Sequence, residues 1–161
     1  MPRFQMGVVI NPNHINKTAR VQDGASGVNP LTRLDNGKLV RLIGDSQYGL
    51  CAVGTEIEGV LDVADDVAPH EGFNIGAVRD PISTRIEVVL DGLQGTPGTG
   101  AIPVGSYVVA GTPVPRGTAL SAGPRVCLAT AAANTLIFKW RVVALRGTSA
   151  VGQVAIIERV S

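Results

Sequence analysis

Aromatic side chains are scarce in this chain. One Trp, two Tyr and three Phe make up 4% of 161 residues. Sugar-binding faces and ligand grooves usually rest on aromatic platforms, so a glycosidase or a carbohydrate-binding module starts with little material. Charge is scarce as well: Asp, Glu, Lys and Arg together reach 17%, against about a quarter in a typical domain. The 14 basic and 13 acidic residues nearly cancel, which leaves no basic surplus for a dedicated nucleic-acid binder. A net charge near zero also weakens the repulsion that keeps copies of a chain apart. Hydrophobic residues are 45%, mostly Val, Ile, Leu and Ala. With few charges to cover them, part of the surface is expected to be covered by another protein.

Long apolar runs are missing too. None approaches the ~20 residues of a membrane-spanning helix. The opening MPRFQMGVVINPNH has neither an apolar core run nor a small-residue cleavage site, so the reading is of a chain made and used in a reducing cytoplasm. The two cysteines, Cys51 and Cys127, are far apart in sequence. Free Cys packs as a small hydrophobe, and buried thiols are the expectation; a disulfide is allowed but nothing in the spacing demands it.

Reactive constellations are hard to assemble. His14 and His70 are the only histidines, and neither cysteine has a local nucleophile signature around it. Paired carboxylates, Glu56 with Glu58 or Asp65 with Asp66, have the residue types of a glycosidase but lack its aromatic groove. The stretch DVADDVAPHEG brings His70 near Asp62, Asp65, Asp66 and Glu71. It lacks the calcium-loop pattern and the closely spaced His and Cys of a zinc site, and is read as a solvated acidic loop over 62–72 with one helical turn at 63–67. GTPGTG at 95–100 lacks the Lys-Ser/Thr ending of a phosphate loop and follows no α/β pattern. The expectation is a chain with no catalytic residue, no cofactor and no metal.

What is present is β-sheet material. Short β-branched runs recur every 8–12 residues between Gly and Pro breaks, the pattern of an all-β domain. Strands are expected near 38–43, 48–53, 56–61, 73–78, 84–90, 104–110, 114–120, 125–130, 136–145 and 152–160. Trp140 reads as a core residue of the longest run, and three alanines at 131–133 leave room for a small helix over 129–135. The Gly/Thr/Pro stretch 91–103 is the candidate lobe boundary or projecting loop. A weak echo links Gly37-Lys38-Leu39-Val40-Arg41-Leu42 with Gly123-Pro124-Arg125-Val126-Cys127-Leu128. The fold class expected is all-β, an antiparallel sandwich or barrel-like (β-tulip-like) domain over 36–161, divisible into two strand-turn lobes joined at 91–103.

Residues 1–35 differ in character. One short apolar run, 6–10, precedes polar residues broken by Pro12 and Pro30, and Arg3, Lys17, Arg20 and Arg33 outnumber Asp23 and Asp35. This reads as an extended arm ordered by docking. Met6, Val8 and Ile10 are the candidate partner-binding strand, because an extended segment can add to a sheet edge through backbone bonds. Arg3, Lys17 and Arg20 are its candidate basic contacts.

From residue 36 onward the phrasing resembles the capsid decoration (cement) proteins of tailed bacteriophages. It is carried by Val108-Val109-Ala110-Gly111-Thr112-Pro113-Val114, then Gly117-Thr118-Ala119-Leu120, then Gly123-Pro124-Arg125-Val126. The earlier Tyr48-Gly49-Leu50-Cys51-Ala52-Val53-Gly54 and the run from Gly152 to Ile157 fit the same style. The resemblance implies a structural protein, not an enzyme, on the outer surface of an icosahedral head. It implies a homotrimer that bridges major capsid protein subunits and stabilises the expanded shell, with no nucleic-acid or membrane partner. Another virion component, such as a head-fibre base or tail protein, and a β-sandwich carbohydrate- or ligand-binding module are the alternatives.

Overall fold

The structure is a computed structural model that describes residues 16–23, 29–70, 73–79, 82, 84–132 and 134–161. It is all-β. The strands are β1 (Asn16–Val21), β2 (Leu39–Gly44), β3 (Gln47–Leu50), β4 (Gly59–His70), β5 (Phe73–Arg79), β6 (Arg85–Leu93), β7 (Thr96–Pro97), β8 (Tyr107–Ala110), β9 (Arg125–Leu128), β10 (Trp140–Leu145) and β11 (Val154–Arg159). A single 3-10 turn, Arg33–Asp35, is the only helical element among the described residues.

Strands β1 to β5 close a barrel in the order β1-β3-β2-β4-β5, with β5 returning antiparallel onto β1. Strands β6 to β11 form a second sheet in the order β11-β10-β8-β9-β6-β7, and β11 also pairs β6. That pairing closes a second ring, with the short β7 added at the end of β6. Among the described residues, closure leaves only the two-residue β7 at a sheet edge, which limits the usual template for unwanted strand addition. The sheets are mixed rather than purely antiparallel, since β1 runs parallel to β3 and β6 parallel to β9.

Burial alternates as a closed sheet requires. In β6, Ile86, Val88 and Leu90 point into the second barrel and are buried, while Arg85 is exposed and Glu87 and Val89 are half-exposed. Ala19, Val21, Val40, Tyr48, Leu61 and Val78 fill the first barrel.

The two barrels share one topology and one register. Arg20 and Val21 pair with Gln47 and Tyr48, and Val89 and Leu90 pair with Arg125 and Val126. Val40 pairs with Leu50 and Gly59, as Val108 pairs with Leu128 and Trp140. Register slips between Leu61 and Val63 in the first barrel, and between Val142 and Ala144 in the second. Gly37 donates to Leu61 O at 2.7 Å and Leu61 N to Lys38 O at 2.9 Å; Gly105 donates to Val142 O at 2.8 Å and Val142 N to Ser106 O at 2.9 Å. Both glycines have positive φ, 86° and 89°, a conformation that a Cβ disfavours. The chain is therefore a tandem repeat of one five-stranded barrel.

Several expectations change. The repeat maps β2 onto β8 and β3 onto β9, so the echo between 37–42 and 123–128 aligned strands that are not equivalent. The division between sheets falls between Arg79 and Arg85, ahead of 91–103, which instead holds the end of β6, its turn and β7. The presumed loop at 62–72 is largely strand β4, because β5 supplies backbone partners along it. Residues 16–23 and 29–35, assigned to the arm, belong to the first barrel: β1 is held by β5 on one side and β3 on the other. No helix forms among the described residues of 129–135, and 114–120 is not a strand.

Candidate interaction surface

The junction between barrels is built by the connection from β3 to β4. Leu39, Cys51, Ile57 and Val60 leave the first barrel and join the interior cluster of the second. Trp140, fully buried, donates its indole N–H to Ile57 O at 2.8 Å, which satisfies the one polar group a buried Trp carries. Ala110 N donates to Thr55 O at 2.9 Å, and Gly54 N donates to Ala110 O at 2.8 Å. Arg159 Nη1 adds a bond to Glu58 O at 3.1 Å.

A strap, residues 111–117, returns from the second barrel over the first. Asp91 holds its start, accepting from Thr112 N at 2.7 Å. Lys38 Nζ donates to Pro115 O at 2.7 Å and to Asp35 Oδ1 at 2.6 Å. Asp35 is fully buried and also accepts from Gly117 N at 2.7 Å and Thr32 N at 2.9 Å. The ion pair thus sits under the strap with its remaining lone pairs used, as a buried pair needs.

The paired carboxylates act as backbone caps. Glu56 Oε2 accepts from Ile137 N at 2.9 Å and Phe138 N at 2.8 Å. Glu58 accepts from Leu42 N at 2.8 Å and Tyr48 OH at 3.2 Å. Asp62 pairs with Arg79 at 3.0 Å, with both side chains nearly buried. Among the described residues, no three His, Cys, Asp or Glu side chains gather in a metal-holding group.

Cys51 and Cys127 are both free and buried. Burial pushes the Cys51 thiol up to about 12. Burial, then the neighbouring Asp91 carboxylate, pushes Cys127 up to about 11. Thiols held this far above neutrality are poor nucleophiles.

Of the partner-binding residues expected from sequence, Lys17 and Arg20 lie on β1, both exposed. Lys17 stands at the mouth of the first barrel, and Arg20 is on the outer face opposite Ile75 of β5. Arg3, Met6, Val8 and Ile10 lie outside the described residues, as do His14 and the side chain of His70. The structure instead exposes large apolar side chains that composition alone does not place. Ile137 is 73% exposed, Ile82 61% and Val104 56%, with Leu34 and Leu42 close to half. Ile137, Ile82, Val104 and Leu34 sit in turns, where period-two patterning carries no signal, and Leu42 lies within β2.

No protein-family model matches the chain, and no curated protein matches it either. The functional reading therefore rests on the surface and the fold.

Proposed function

We propose that this chain is a structural binding protein of a tailed-phage head, seated on the outer surface and bridging major capsid protein subunits as a homo-oligomer. The observation that carries the reading is a pair of closed barrels with apolar side chains displayed at turns, Ile137, Ile82 and Val104 foremost. Such side chains, on a chain with few charges, suit burial against another protein. A ligand that binds only the expanded lattice stabilises that state by mass action, and many copies around a symmetry axis add avidity. Residues 1–15 are the attachment arm in this reading, with Met6, Val8 and Ile10 adding to a capsid sheet edge and Arg3 beside them.

Cosedimentation with phage heads tests the proposal. The full chain is expected to saturate expanded shells and to ignore unexpanded ones. Deleting residues 1–15 weakens attachment by at least tenfold while the circular dichroism of the barrels is unchanged. The deletion stops at 15 because β1 begins at Asn16. Equal binding to both shell states removes the lattice reading; a truncated chain that binds with full affinity removes the arm.

A further inference from the structure

The junction inside one chain shows which corner of a barrel accepts a neighbour. In the second barrel this corner is the end of β8 and the start of β9. Ala110 exchanges backbone bonds there with Gly54 and Thr55. Leu39, Leu50 and Cys51 face Ala110, Thr112 and Pro124 across a cavity of about 20 Å³. The inserted face is tightly buried: Leu39, Cys51, Ile57 and Val60 are at most 6% exposed.

The register carries this corner onto the first barrel. Ala110 corresponds to Leu42 and Val126 to Tyr48. Pro124 corresponds to Ser46, since Arg20 N bonds Ser46 O where Val89 N bonds Pro124 O. Leu42, Ser46 and Tyr48 line an open cleft of about 310 Å³ with Lys17, Ala19 and Asp45. Leu42 is 48% exposed where Ala110 is 2% exposed.

The same register carries the inserted face onto the second barrel. Leu39 corresponds to Tyr107, Cys51 to Ala129 and Val60 to the exposed Arg141, and the segment before β4 corresponds to the turn before β10. Tyr107, Ala129 and Phe138 are half-buried and Ile137 is 73% exposed. Glu56 fixes that turn through the Ile137 and Phe138 amides. One chain therefore carries a second receiving corner on its first barrel and a second inserting face on its second.

We propose that a second copy of this chain docks its Ile137 turn and the adjoining Tyr107 and Ala129 face into the Leu42–Tyr48 corner of the first barrel, repeating between chains the junction made within one. Leu42 N is held by Glu58, so the contact between copies keeps the carbonyl half of the Ala110 exchange. The contact is head-to-tail, with different surfaces on the two partners, and closes into a ring if its rotation permits. A net charge of +1 sets little repulsion against it. The inference concerns copies of this chain and stands apart from any shell.

Light scattering on the purified full chain, with Leu42→Lys and Ile137→Lys, tests it. Both side chains are exposed, so each variant is expected to keep the wild-type melting temperature; Leu42→Ser or Ile137→Ser replaces the corresponding variant if it does not. The wild type is expected to be multimeric and each variant monomeric. Mixing the two variants gives a one-to-one pair, since one keeps the receiving corner and the other the inserting face. A monomeric wild type overturns the proposal, including the case in which residues 1–15 of the same chain cover Leu42. So does either variant at wild-type mass, or a mixture that forms no pair. Absence of the protein from virions leaves this result untouched.

Discussion

At the residue scale, burial decides what the scarce reactive groups do. Cys51 and Cys127 titrate at about 12 and about 11 in the fold, against 9.0 without it. The folded pKa values lie above the unfolded one, so the unfolded chain loses protons first as pH rises. Stability is then full below pH 9 and falls between pH 9 and about 12. Alkaline denaturation followed in urea is expected to show that loss, and Cys51→Ala with Cys127→Ala to remove most of it. A double variant with an unchanged alkaline slope assigns the loss to other groups. The burial of Trp140 was legible, because Ile137, Phe138, Val142 and Val143 surround it in an apolar run. The burial of Asp35 and Lys38 was not. Asp35-Asn36-Gly37-Lys38 has the composition of a solvated turn, and what covers it is the strap at 115–117, remote in sequence.

At the scale of elements, strands were found where polar and apolar residues alternate and missed where partners decide. Residues 85–88 alternate and form the start of β6. The 62–70 stretch is acidic and carries Pro69, yet β5 draws it into a strand. The 114–120 stretch looks like a strand but belongs to the segment that leaves β8, crosses the junction and returns to β9, fastened by the backbone atoms of Pro115 and Gly117. Lys38→Met leaves the Asp35 charge buried without its cation, and an uncompensated buried charge costs about 3 kcal/mol or more. Urea unfolding is expected to show that loss, together with faster tryptic cleavage after Arg116. A loss below about 1 kcal/mol, the range of an exposed pair, shows that the strap holds without the ion pair.

At the scale of the molecule, the repeat was nearly invisible. Equivalent positions match in burial rather than identity: Ala19 with Val88, Val21 with Leu90, Leu61 with Val142, Val78 with Ile157. Any small or branched apolar residue satisfies an inward position, so two copies drift apart while the register persists. Gly37 with Gly105 and Val40 with Val108 are among the few retained pairs. The all-β class was legible; the place where one sheet gives way to the other was not, because the glycines of 91–103 serve a hairpin at the end of β6.

The return of each barrel's last strand onto its first has a consequence for synthesis. β1 waits for β5, and β6 waits for β11. Domains form as the chain emerges, so the first barrel can close while the second is still being made. The second stays open along β6 until β11 has emerged to pair with it, and an open β-branched edge is a template for aggregation. A chain stopped at Gly152 is expected to keep the first barrel but to be recovered largely in inclusion bodies, measured as the soluble fraction on expression. Full solubility of that product removes the late-closing strand as a checkpoint; its loss makes the arrival of β11 the step that licenses a closed second barrel.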